Sequence, residues 1–166
     1  MTKRKKETFW AEPIGKVDLQ QPAVVKTGTS IIDAVKEMKY NQIGCVLVVD
    51  AKKKLTGILS NGDLMHEFVG STLSGDTPVD EIMTKNPASA TPALTVQEAL
   101  EIFHSNRFRH LPILTGETVE GILSVRGLMT FISEHLPLQV MNLPPDSSLI
   151  APTVSGESPW PKKPPP

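Results

Sequence analysis

Cysteine is almost missing from this sequence: Cys45 is the single one among 166 residues. No disulfide can close within one chain, and no Cys-based metal site can be assembled from it. Long apolar runs are missing too, so no segment is long enough to span a bilayer. The basic start, Met1 to Lys6, leads into Glu7, Phe9, Trp10 and Glu12 rather than into a secretory apolar stretch. Neither sign of charge is in excess. With 17 Lys and Arg against 18 Asp and Glu, the formal net charge is -1, which argues against a disordered polyelectrolyte and against a protein that coats nucleic acid. The four histidines, His66, His104, His110 and His135, fall in no His-Glu-x-x-His spacing. There is no glycine-flanked serine nucleophile and no phosphate-cradling Gly-Lys-Ser loop. These absences predict a cytoplasmic protein that is not an enzyme, with no metal and no catalytic cofactor.

What is present is enough apolar material, 39% of residues, for one compact domain or two small units sharing a core. It is arranged as an internal repeat. Shifted by 65, Pro22-Ala23 falls on Pro87-Ala88, and Ser30-Ile31-Ile32-Asp33-Ala34-Val35 falls on Thr95-Val96-Gln97-Glu98-Ala99-Leu100. After a one-residue deletion in the following turn, Gly57-Ile58-Leu59-Ser60 lands on Gly121-Ile122-Leu123-Ser124, and Leu64-Met65 on Leu128-Met129.

Each copy reads the same way locally. Ser30 with Asp33, and Thr95 with Glu98, set a hydroxyl and a carboxylate three residues apart, as a helix N-terminal capping box or its Asp variant requires. Behind these caps, Ile31, Ala34, Val35 and Met38, and Val96, Ala99, Leu100 and Phe103, recur at helical spacing and define buried faces. A β-rich run follows (Cys45 to Val49, Leu111 to Leu114), then a polar turn, then a second run (Leu55 to Leu59, Val119 to Leu123), so each copy holds a hairpin. Cys45 opens the first of these runs and is expected to be a small core residue. A last helix is expected from Gly62 to about Val69 with Leu64, Met65 and Phe68 inward, and from Gly127 to about His135 with Leu128, Phe131 and Ile132 inward.

The unit is strand, helix, strand, strand, helix, an α+β arrangement in which two copies pack as a pseudo-twofold pair and bury each other's open sheet face. The expected boundaries are a basic extension over 1–11, a first repeat over 12–70, a linker over 71–80, a second repeat over 81–136 and a Pro-rich tail over 137–166. The linker is rich in Ser, Gly, Thr and Pro and is expected to turn without structure. The tail is expected to be extended or disordered.

The repeat pattern, the Glu81-Ile82-Met83-Thr84 lead-in, the Arg109-His110-Leu111-Pro112-Ile113 run and the Gly57 to Asp63 segment together resemble a CBS-domain pair, the Bateman module, over about residues 12–136. The resemblance implies a regulatory module that binds AMP, ADP, ATP or S-adenosyl methionine in the cleft between its copies. It also implies a homodimer and a separate, unknown effector protein.

The residues themselves support a nucleotide site. Gly57 to Asp63 passes from a strand into a helix start, so Ser60 and the backbone N–H groups that follow, through Gly62, lie at a positive helix end suited to phosphate. Asp63 can accept from a ribose diol; its plainer role is a helix N-terminal acid. The resemblance assigns Ser60 to phosphate and Asp63 to ribose. It places adenine against Ala88 and Ser89, with Phe108 and Pro112 as walls and Ile58 beneath, and brings Arg109 and Arg126 to the phosphates, which a guanidinium fork suits. His110 adds a contact or is simply structural. In the second copy Ser124-Val125-Arg126-Gly127 keeps the serine but has Gly127 where Asp63 stands, so the mirrored site, near Ala23, Val24 and Gly44, is expected to bind more weakly. Two other readings remain. One is an interaction and dimerisation module with a vestigial nucleotide site. The other is a nucleic-acid binder using Lys3-Arg4-Lys5-Lys6 beside Phe9 and Trp10.

Overall fold

The computed structural model describes residues 9–106 and 108–135. The basic run Lys3 to Lys6 and the Pro-rich tail lie outside the described residues. Two compact units are separated at Phe131; the described part of the second, Ile132 to His135, is the end of a helix.

In the first repeat, β1 (Val24–Lys26) precedes helix α1 (Ile31–Asn41). The Ser30 hydroxyl caps this helix by accepting from the Asp33 N–H, and Gln42 stops it in the left-handed region at φ 53°. Ile31, Ala34 and Met38 are buried and Val35 is half-buried, as the spacing predicts. Strands β2 (Cys45–Val49) and β3 (Leu55–Ser60) form the hairpin. Asp50 Oδ1 closes its turn by accepting from the N–H groups of Lys52 and Lys54. β2 runs parallel to β1 on one side and antiparallel to β3 on the other, and all five of its residues, Cys45 included, are buried.

The helix expected after β3 starts one residue early, as α2 (Asn61–Asp63), and continues as a π turn over Leu64–Phe68, closed by Val69 N–H on the Leu64 carbonyl. Leu64 and Phe68 still face the core, but Met65 is 64% exposed, contrary to the expected inward placement. Its counterpart in the second repeat, Met129, is 50% exposed too, so this position lies off the inward face in both repeats.

The linker runs through turns and bends without helix or strand over 71–78, and its backbone carbonyls are nevertheless used. The Thr77 and Gly75 carbonyls accept from the Ile31 and Ile32 N–H groups, so the linker satisfies donors that every helix start leaves unpaired. It ends in a 3₁₀ turn, Val79–Glu81, whose Val79 is buried. Strand β4 (Thr84–Lys85) then pairs with β3 of the first repeat, Thr84 opposite Ile58 and Lys85 opposite Gly57.

The second repeat contains α3 (Val96–Ser105), β5 (His110–Thr115), β6 (Thr118–Ser124) and α4 (Val125–His135). Thr95 and Glu98 form a reciprocal capping box at the start of α3. Val96 and Ala99 are buried and Leu100 and Phe103 half-buried, while Leu128, Phe131 and Ile132 of α4 are buried. One strand is lost relative to expectation: the counterpart of β1 shrinks to a single parallel bridge, Ala90 to Ile113. Two prolines remove its ends: Pro92 stands where the first repeat has Thr27, and Pro112 where it has Leu47. Thr27 donates its N–H to the Val49 carbonyl and Leu47 to the Ala23 carbonyl, and a proline has no N–H to donate.

The two repeats exchange their lead-ins. The 3₁₀ turn Ile14–Lys16, which opens the first repeat, binds the second: Ile14 N–H donates to the Leu94 carbonyl, and the Glu12 carbonyl accepts from Val96 N–H. The turn Val79–Glu81 does the same for the first repeat, with Val79 N–H on the Thr29 carbonyl. Gln20 likewise pairs with Ile122 of β6 as Thr84 pairs with Ile58 of β3. Each repeat is therefore completed by the segment that leads into the other, and the approximate twofold relation follows from the sequence repeat.

Candidate functional site

The junction from β3 to α2 gathers three of the expected residues. Ser60 is the N-cap of α2, and its pairing with Asp63 is a complete capping box. Asp63 Oδ2 accepts from Ser60 N–H at 2.7 Å and from the Ser60 hydroxyl at 2.6 Å. The Ser60 hydroxyl in turn accepts from Asp63 N–H at 3.4 Å. Asp63 Oδ1 accepts from the Thr84 hydroxyl at 3.2 Å. Asp63 is half-buried and faces β4, the strand that leads into the second repeat. Gly62 is exposed beside the Ser60 hydroxyl, and Ile58 is buried beneath, between Leu47 and Thr84.

Cys45 lies opposite Ser60 in the hairpin register. Burial, with the Asp63 carboxylate adding to it, pushes its thiol up to about 12, so it is an unreactive core group.

The remaining predicted residues come from the second repeat. His110, the first residue of β5, is half-buried and crosses toward the first repeat. A methyl added at Gly44 would sit 3.2 Å from His110 Cε1 and 3.4 Å from the Asn61 amide nitrogen. Gly44 is what leaves room for the imidazole. Burial, and secondarily the Arg109 guanidinium, hold His110 below the ordinary histidine value. Pro112 is buried and accepts Ala90 N–H on its carbonyl. Phe108 is half-buried and meets Phe103 edge-on, with centroids 6.0 Å apart.

Ala88 and Ser89 are exposed. Ser89 lines a crevice of about 350 Å³ with Lys54, Asn86 and Glu117, and the Lys54–Glu117 ion pair, at 2.8 Å, joins the two hairpin turns beside it. A second depression, about 380 Å³, lies against α3 and is lined by Glu98, Glu101 and Ile102. Neither includes Ser60 or Asp63. Arg109 and Arg126 are exposed, and neither makes an ion pair among the described residues.

The structure thus joins Ile58, Ser60, Gly62 and Asp63 to one another, and His110 to Gly44 and Asn61. It does not tie Ala88, Ser89, Phe108 or either arginine to Asp63. Two participants escaped sequence reasoning. Thr84 was visible only as part of the lead-in, and Asn61 only as a spacer inside the Gly57 to Asp63 segment.

The mirrored junction is poorer. The Ser124 hydroxyl accepts from Gly127 N–H at 3.0 Å, but Gly127 has no carboxylate with which to close a box. Gln20 holds, against Ile122, the register place that Thr84 holds against Ile58.

Phe9 also bears on function. It is 4% exposed, stacked on Phe131 at 5.8 Å and edge-on to Trp10, so it is withdrawn from base stacking. No helix among the described residues is long and apolar enough to cross a membrane.

A duplicated strand-helix-hairpin-helix unit, closed by exchanged lead-ins and carrying a capped strand-to-helix junction in each copy, is the architecture of a regulatory pair module. Residues 14–70 and 79–134 each match the CBS domain, and the chain belongs to the CBS-domain family. It is 34% identical over 119 residues to an uncharacterized 17.7 kDa protein of Acidianus ambivalens, covering 71% of each chain. Other curated relatives are longer, and the chain spans about a fifth of them, 21% or 22%. The solved CBS-domain protein ATU1752 of Agrobacterium tumefaciens superimposes with TM-score 0.63 at 28% identity, over 68% of this chain and 90% of that one. CBSX2, solved in complex with AMP, shares the fold with TM-score 0.64 at 20% identity, over 74% of this chain and 97% of that one.

Proposed function

We propose that this CBS pair is a sensor that binds an adenine nucleotide (AMP, ADP or ATP) or S-adenosyl methionine between its repeats, at the first junction, and modulates a separate partner protein as a homodimer. The observation that carries the reading is the position of Asp63: a half-buried carboxylate of one repeat, in a complete N-terminal capping box, facing the lead-in strand of the other. At the helix start the N–H groups of Ser60, Asn61 and Asp63 are already donated, to Asp63 Oδ2, the Gly44 carbonyl and the Ser60 hydroxyl, so the Gly62 N–H is the donor offered to phosphate. Oδ2 is committed to Ser60 by two short bonds, so the ribose acceptor is Oδ1. His110, seated against Gly44 and Asn61, together with exposed Arg109 and Arg126, supplies the second repeat's face of the site, with Ala88, Ser89, Phe108 and Pro112 toward the base. That a protein of this fold is known in complex with AMP supports the ligand class.

Binding would bridge the copies and stabilise the folded pair by mass action. A thermal-shift screen of AMP, ADP, ATP and S-adenosyl methionine tests this. One of them should raise the melting temperature, and Asp63→Ala should remove most of that rise.

A second reading, an interaction module with a vestigial site, is favoured by one observation: both Asp63 oxygens already have partners within the protein. Absence of any shift with the four ligands would select it.

A further inference from the structure

We infer that Thr84 is a latch on the ligand site. Its hydroxyl holds the Asp63 oxygen left over by the capping box, and a ribose hydroxyl takes that oxygen by displacing it. Binding is thereby reported through β4 to the second repeat. The inference rests on the reading of Asp63 as ribose acceptor and adds to it a route from ligand to structure.

Three observations carry it. First, the two Asp63 oxygens are unequal. The bonds to Oδ2 are 2.6 and 2.7 Å, whereas Thr84 approaches Oδ1 at 3.2 Å, long for a hydroxyl bond and so the weakest of the three. An incoming hydroxyl that makes an ordinary bond of about 2.7–2.8 Å outcompetes it. Second, β4 is two residues long and pairs with β3 only through Thr84 and Lys85, with Asn86 N–H on the Thr56 carbonyl just beyond. Ile82 and Met83, packed on the core of the first repeat, hold the chain before it, and the hydroxyl adds to the fastening of Thr84 and Lys85 themselves. Third, the same residues connect directly to the 3₁₀ turn Val79–Glu81, which carries Val79 N–H to Thr29 before α1, and to Ala90 beside β5. Release of Thr84 loosens the one strand whose two ends are anchored in different repeats. The mirrored edge has neither half of the device, with Gly127 for the acid and Gln20 for the hydroxyl.

The test compares wild type, Thr84→Val and Asp63→Ala in the full chain. AMP, ATP and S-adenosyl methionine are each titrated by calorimetry, and hydrogen exchange is followed over residues 82–88 with and without ligand. Valine keeps the shape of threonine and removes the hydroxyl. Thr84→Val should bind the active ligand about three- to tenfold tighter, the factor one ordinary hydrogen bond is worth. In the unliganded wild type, exchange at Asn86 should be slow, and it should speed up on binding. In unliganded Thr84→Val it should already be fast. Affinity unchanged or weaker in Thr84→Val, with Asp63→Ala still weakening binding at least about tenfold, overturns the latch and leaves the site standing. Binding that keeps its wild-type affinity in Asp63→Ala overturns the site and the latch with it. Unchanged Asn86 exchange in unliganded Thr84→Val overturns the latch whatever the ligand.

Discussion

The two strand-to-helix junctions begin from nearly the same residues, Gly57-Ile58-Leu59-Ser60 and Gly121-Ile122-Leu123-Ser124, and end differently. At the first, Ser60 and Asp63 cap one another and Asp63 reaches across to Thr84. At the second, Ser124 caps a helix start that has Gly127 and no acid, and the facing position is Gln20. The strand geometry that presents a helix N-terminus is preserved in both. The ability to hold a polar ligand by a carboxylate exists in one. Duplication supplies the frame twice, and a single residue decides which frame has the chemistry.

The largest expected effect breaks the comparison from the first side. Asp63→Ala should weaken adenylate binding by about ten- to a hundredfold, the range of a lost hydrogen bond to a charged group, about 1.5–3 kcal/mol. Calorimetric titration reads it directly. Ser124→Ala at the other junction should leave the same affinity within a factor of about two, since the second site contributes little.

Next comes the packing of the exchanged lead-ins. A methyl at Gly121 would stand 2.8 Å from Leu19 Cβ and 3.3 Å from the Gln20 carbonyl oxygen, both close to the backbone. A methyl at Gly57 would overlap the Met83 sulfur, on a side chain that can turn away. Gly121→Ala should therefore cost about 1–3 kcal/mol as an overpacked site, and Gly57→Ala less. Urea unfolding midpoints should rank them in that order.

A smaller change sharpens the comparison by repairing the second junction. Gly127 has an ordinary backbone φ, and a Cβ there meets the Ser124 hydroxyl oxygen at 3.3 Å, a contact a rotating hydroxyl can relieve. Gly127→Asp should complete a capping box at α4 and raise stability by about 0.5–1 kcal/mol. Thermal denaturation without ligand checks it.

The smallest effect concerns His110, which has buried Cys45 as its counterpart in the first repeat. Its imidazole is held below 6.5 by burial and by Arg109, so the unfolded chain binds a proton there that the folded one refuses. The stability tied to this group is complete above 6.5 and is lost as pH falls below that value toward the lower folded one. His110→Gln should flatten this acid-side decline across about pH 5 to 7.

Much of this was legible in the sequence because it is written in side chains. The periodicity of Ile31, Ala34 and Met38, the caps at Ser30 and Thr95, and the apolar run Cys45 to Val49 specify elements through local chemistry, and the structure places them as expected. What was not legible is carried by the backbone or by place in the fold. The linker holds α1 through the carbonyls of Gly75 and Thr77, which any residue could supply. Met65 and its counterpart Met129 are apolar and stand beside inward leucines, yet both are exposed, because residue type alone does not mark the edge of a buried helical stripe. The lost strand had a signal, Pro92 in place of Thr27 and Pro112 in place of Leu47, but its meaning depends on knowing that the N–H groups at those positions are the ones the sheet needs. The bond from Thr84 to Asp63 spans 21 residues and becomes visible only once the lead-ins are seen to be exchanged.

The measurement that tests the central claim most directly is the calorimetric stoichiometry of an adenylate on the intact chain. One ligand per chain, weakened in Asp63→Ala and held at its wild-type affinity in Ser124→Ala, is the expected result. Two ligands per chain with similar affinities, or one ligand bound as tightly in Asp63→Ala as in wild type, would contradict it.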